Sequence, residues 1–63
     1  MLTPNFDLYL DLKGPIQLEY LPTPRSRKWR KGPIRLVYSQ LAYNDAVTLS
    51  AQEGWHSWRY ISY

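Results

Sequence analysis

Cysteine is absent from the chain. Disulfides and thiolate zinc sites are therefore excluded, and with them the common staples of small domains. The single histidine, His56, rules out a Cys–His pair and leaves one imidazole for any Ser–His chemistry. The three glycines, Gly14, Gly32 and Gly54, stand apart from one another, so there is no Gly-rich loop to cradle phosphate. No stretch approaches the roughly 20 apolar residues of a membrane span. Met1-Leu2-Thr3-Pro4-Asn5 has neither a basic segment nor a sustained apolar run, so no secretory signal is expected. The reading is of a soluble, intracellular, cytoplasmic protein.

Acids are scarce, five against eight basic residues. Asp7 and Asp11 on one strand face would stand about 13 Å apart, beyond the roughly 5 to 9.5 Å of paired glycosidase carboxylates. No His/Asp/Glu set has metal-ligand spacing. The sequence thus nominates no catalytic residue, no metal site and no cofactor, and an enzyme is not expected.

The 63 residues allow one small domain, 1–63. A chain this short buries only about 60% of the surface that its unfolded form exposes, so its stability margin is thin. Six tyrosines, three tryptophans and one phenylalanine must supply much of the packing.

Period-two alternation is the main structural signal. From Phe6 to Lys13, Phe6, Leu8, Leu10 and Leu12 oppose Asp7, Tyr9, Asp11 and Lys13. After Gly14-Pro15, Ile16, Leu18 and Tyr20 oppose Gln17, Glu19 and Leu21, and the two runs can pair as a hairpin with Pro15 at a strand's first position. Leu21-Pro22-Thr23-Pro24 reads as an extended or turning connection. A third run, Ile34 to Tyr38, follows Gly32-Pro33. Residues 13–20 and 31–38 agree at six of eight positions, eighteen residues apart. Two copies are too few for a solenoid, so the repeat reads as two equivalent strands, each launched by a Gly-Pro turn and burying Ile, Leu and Tyr.

The stretch from Ser39 to Gly54 is ambiguous. Ala46 to Ser50 fits a short strand, yet Asp45 as N-cap and Gly54 just beyond a helix end fit two helical turns. Ser50-Ala51-Gln52-Glu53 also fits a capping box that would start a helix through Trp55 and Trp58. The β-prone residues that follow favour a strand at Trp55 to Ser62. Trp55, Ser57, Arg59, Ile61 and Tyr63 then share one face, and His56, Trp58, Tyr60 and Ser62 the other.

These runs predict an all-β fold, a four- to five-stranded antiparallel barrel or sheet of SH3-like or OB-like type. A three-stranded sheet with a C-terminal helix is the alternative.

Charge is distributed unevenly. Residues 1–24 carry Asp7, Asp11 and Glu19 against Lys13, a charge of −2. Residues 25–35 carry +6 from Arg25, Arg27, Lys28, Arg30, Lys31 and Arg35, and residues 36–63 carry −1 from Asp45, Glu53 and Arg59. A basic loop at about 22–33, with Trp29 among its cations, matches a polyanion that offers phosphates and flat bases. The leading expectation is therefore a nucleic-acid-binding β-domain, DNA or RNA, of weak sequence specificity, with a salt slope of about −3 from three or four phosphate contacts. Trp29, and with it Trp58, Tyr60, His56 and Arg59, are the stacking or interface candidates. For Trp29 a fold-back anchor under an arginine is the competing role, and for Trp58 a place in the core. The alternative function is a protein-interaction subunit or inhibitor that docks its basic loop and aromatic C-terminal strand on an acidic partner or larger assembly. Self-association is compatible with either.

Overall fold

The computed structural model describes residues 3–63; Met1 and Leu2, on which part of the signal-sequence reading rested, lie outside them. In order come a 3-10 helix at Phe6–Tyr9, strand β1 at Ile16–Leu21, strand β2 at Arg30–Arg35, helix α1 at Gln40–Glu53 and strand β3 at Ser57–Ser62. The strands form one antiparallel sheet in the order β2-β1-β3, and α1 lies against one of its faces. The fold is mixed α/β. It corrects the expected SH3-like or OB-like barrel, because three strands leave an open sheet and the residues from 40 to 53 are helical. The alternative, a three-stranded sheet with a C-terminal helix, has the right parts in the wrong order: the helix precedes the last strand.

The helix begins where Ser39, in extended conformation, accepts a hydrogen bond on Oγ from the Ala42 N–H at 3.4 Å, the standard serine N-cap. It ends at Gly54, whose φ of +69° is left-handed and suits glycine. The buried face consists of Ala42, Ala46 and Ser50, small residues at i, i+4 and i+8. Because that stripe lacks large apolar side chains, period reading passed over it, and the caps proposed at Asp45 and Ser50 fall inside the helix.

The N-terminal run does not form the expected strand or its hairpin with β1. Leu8, Leu10 and Leu12 N–H groups bond to Asn5, Asp7 and Tyr9 carbonyls at 3.1, 3.4 and 3.1 Å, three residues back each time. Phe6, Tyr9 and Leu12 turn inward against the core, leaving Leu8 and Leu10 exposed. A three-residue repeat is that of the 3-10 helix, and it wins because it brings both aromatics inward.

Directly opposed residues of an antiparallel ladder share a face. β3 runs in unbroken register against β1 from Ile16↔Ser62 to Leu21↔Ser57, so Leu18 faces with Tyr60, and Tyr20 with Trp58. That face meets α1. Ile16, Leu18, Trp58 and Tyr60 are at most 2% exposed. Against β2 the register slips: Gln17 pairs with Ile34 but Glu19 with Lys31. One extra residue on β2 makes a bulge at Gly32-Pro33, where the missing proline N–H does no harm on an edge strand. The expected third run, Ile34 to Tyr38, is therefore displaced, and β2 closes at Arg35.

Aromatic rings fill the space between sheet, helix and N-terminal segment. Tyr38 stacks on Phe6 at 5.3 Å and Tyr43 meets Trp58 edge-on at 5.6 Å. Their hydroxyls are satisfied by backbone: Tyr38 donates to Phe6 O at 2.5 Å, Tyr43 to Pro4 O at 3.0 Å, and Tyr60 to Ala42 O at 2.8 Å. Trp58 Nε1 and Arg35 Nε are buried with no acceptor among the described residues. Each such group costs about 1–3 kcal/mol, in keeping with a thin stability margin.

Candidate protein-docking surface

Residues 22–29 connect β1 to β2, so of the expected basic loop Arg30 and Lys31 lie in the strand. A turn at its start is closed by Ser26 N–H to Thr23 O at 3.1 Å, with the two hydroxyl oxygens 2.9 Å apart. The next residues, Arg25 to Arg30, wall an open concavity of about 590 Å³. Arg25, Arg27, Lys28, Arg30 and Lys31 are all exposed, and none makes an ion pair among the described residues.

Two other arginines are engaged within the molecule. Arg35, opposite Ile16 on the helix side of the sheet, reaches Asp45 of α1 at 2.6 Å. Arg59, opposite Glu19 on the open face, holds that carboxylate through Nε and Nη2 at 2.9 and 2.8 Å. Its guanidinium also covers one face of the Trp29 ring, 4.1 Å from the centroid. Trp29 is thus half-buried and anchored as a cation–π partner. The sequence did not reveal Glu19 and Asp45 as arginine partners, since each meets its arginine only through pairing of distant segments.

The aromatic candidates on β3 are not presented to a ligand. Trp58 and Tyr60 are 1% and 2% exposed, packed on each other at 5.9 Å. Burial pushes the Tyr60 phenol above its usual range, with the Arg35 guanidinium at its hydroxyl pulling partly back. Burial likewise raises Tyr38, to about 12, with Tyr43, Tyr9, Tyr60 and Asp7 adding to the effect. His56 is half-buried, and its backbone N–H is bonded to Leu21 O at 2.9 Å. The expectation of a DNA- or RNA-binding β-barrel is corrected on both counts: the fold is no barrel, and the stacking platform is not assembled, its rings being sealed in the core or capped by Arg59.

Sequence reading also missed the exposed apolar residues beside the basic strand. Ile34, Leu36, Val37 and Leu41 are 46%, 82%, 60% and 71% exposed. The adjacent pair Leu36-Val37, just before the Ser39 cap, was the signal available, since neighbours in an alternating strand cannot both face inward.

Among the described residues no cluster of His, Asp or Glu is suited to holding a metal ion, and no helix is long and apolar enough to cross a membrane. The chain matches no protein-family model, and no curated protein and no solved structure is significantly similar to it.

Proposed function

We propose that this chain is a non-enzymatic protein-docking module whose β1–β2 connection grips an acidic surface of a protein partner. The observation that carries this reading is the division of labour among the cations. Arg35 and Arg59 are spent on internal carboxylates, whereas Arg25, Arg27, Lys28 and Arg30 face solvent with no ion pair among the described residues, and Lys31, also exposed, lies across from Glu19, which Arg59 already holds. Trp29 and Arg59 form a fixed aromatic-cation pair next to them, and Trp and Arg are the residue types that most often dominate protein interfaces. The β3 strand contributes through Arg59 rather than through its buried rings.

A Glu/Asp-rich peptide, with a neutral peptide of equal length as control, tests the reading by tryptophan fluorescence titration. Binding of the acidic peptide should weaken with added salt, because exposed pairs are screened over about 8 Å at physiological ionic strength. Reversing Arg25, Arg27 and Lys28 to Glu should weaken it tenfold or more, about 1.4 kcal/mol, with the circular dichroism spectrum unchanged. Equal binding of both peptides, or indifference to the reversal, overturns the proposal.

A further inference from the structure

The concavity beside the β1–β2 connection is lined by Arg25, Ser26, Arg27, Lys28, Trp29 and Arg30, four cations and no acid. Elsewhere in this molecule one arginine serves each paired carboxylate. Asp45 takes Arg35 at 2.6 Å, and Glu19 takes Arg59 through Nε and Nη2 at 2.9 and 2.8 Å. Four cations on one concavity therefore exceed what a single Asp or Glu of a partner would use. Bringing several carboxylates into the same space sets like charges against one another. A phosphate monoester avoids that conflict, since it carries about −1.5 to −2 at neutral pH and three acceptor oxygens on one atom. Three of the four cations are arginines, whose planar forks bond phosphate oxygens in pairs.

Both ends of this stretch are fixed. At the first, the Ser26 N–H bonds Thr23 O at 3.1 Å and the two hydroxyl oxygens lie 2.9 Å apart. At the second, the Arg59 guanidinium covers Trp29 at 4.1 Å, and Arg30 pairs with Tyr20 in the sheet. Less ordering is then needed when a ligand arrives, which favours affinity. A nucleic-acid strand fits this shape less well. Its single charges are spread along a track and its bases seek open ring faces, whereas the cations here share one concavity and one face of Trp29 is covered. Because the concavity is open, the short side chain of phosphoserine suffices to bring its phosphate among the cations.

We infer that the group recognised by this surface is a phosphoserine of the partner protein, held by Arg25, Arg27, Lys28 and Arg30 with Trp29 as the fixed wall beside it. This rests on the docking function proposed above and names the ligand of that same site.

Peptides identical except at two central positions, which read phosphoserine-Ser, Glu-Glu or Ser-Ser, separate the two claims when titrated against the full chain by tryptophan fluorescence. The phosphopeptide should bind about tenfold or more tighter than the Glu-Glu peptide of nearly the same charge, and Glu-Glu tighter than Ser-Ser. Arg25→Lys, Arg27→Lys and Arg30→Lys made together keep the net charge but remove the planar forks. They should weaken the phosphopeptide more than Glu-Glu, so that the ratio of the two affinities falls toward one, with circular dichroism unchanged. Equal affinities for the phosphopeptide and Glu-Glu in the unaltered chain overturn this inference and leave the docking function standing. Equal affinities for all three peptides overturn both. A ratio indifferent to the lysine changes also overturns the inference, as does tighter binding of trithymidylate, whose charge is about that of the phosphate monoester.

Discussion

Residues 13–20 and 31–38 share Lys, Gly, Pro, Ile, Leu and Tyr at equivalent positions, and the fold treats them differently. In the first copy Gly14 turns at φ +71° ahead of β1, and Ile16 and Leu18 are 0% and 1% exposed. In the second, Gly32 and Pro33 lie within β2, and Ile34 and Leu36 are 46% and 82% exposed. The bulge accounts for the difference. One extra residue on β2 reverses the side-chain parity that follows it, so Ile34 pairs with Gln17 on the face away from the helix while Arg35 pairs with Ile16 and turns toward the helix. Only the two tyrosines come close to equivalence: Tyr20 stacks on Trp55 at 4.1 Å, and Tyr38 is buried against Phe6. A shared peptide thus forms part of the core in one place and an exposed apolar surface in the other.

Substitutions at matched positions test this asymmetry. The largest contrast is expected at the isoleucines. Ile16→Ala empties a fully enclosed site and should cost about 2–5 kcal/mol, whereas Ile34→Ala should stay within about 0.5 kcal/mol of wild type. Urea denaturation measures both, and similar losses would refute the parity flip.

The glycines should separate less. A Cβ on Gly32 would lie 3.2 Å from Cδ2 of Leu18, a side chain with no free space to move into. Gly32→Ala should therefore cost about 1–3 kcal/mol by overpacking. A Cβ on Gly14 meets nothing within 4 Å, so Gly14→Ala carries only the left-handed backbone penalty of about 1 kcal/mol. If Gly32→Ala proved the milder change, the close approach of the bulge to β1 would be wrong.

The tyrosines should differ least. Tyr38→Phe removes the bond to Phe6 O and should cost about 1 kcal/mol; Tyr20→Phe, whose hydroxyl has no partner among the described residues, should cost close to nothing. Alkaline pH reads the same contrast. The folded-state pKa of Tyr38 is raised to about 12 from an ordinary 10, so its neutral form is favoured by folding. That contribution is fully present below about pH 10 and is lost as pH rises from there through about 12, where the unfolded chain ionises first. Denaturation midpoints should fall across this window in the wild type, and fall less in Tyr38→Phe.

How much of this was legible beforehand varies by element. β1 and β3 carried period-two alternation in β-prone residues, and the faces assigned to Trp58 and Tyr60 match those observed. Gly54 was legible as a helix terminator because glycine readily accepts positive φ. The helix itself was obscured by the small size of Ala42, Ala46 and Ser50. The N-terminal run carried two periods at once, two in its leucines and three in Phe6, Tyr9 and Leu12. Among the site residues, the clustering of cations was plain, but which of them would be free depended on where Glu19 and Asp45 arrived.

Composition and local pattern, then, sufficed for a cysteine-free, aromatic-packed small chain with a concentrated block of positive charge, two strands and a helix stop, because each of these depends on neighbours within a few residues. Folding alone decided the bulge register, the burial of Trp58 and Tyr60, the pairing of Arg35 and Arg59, and the outward turn of Ile34 and Leu36. Each of those follows from contacts between segments far apart in the chain, where a single-residue slip exchanges inside for outside.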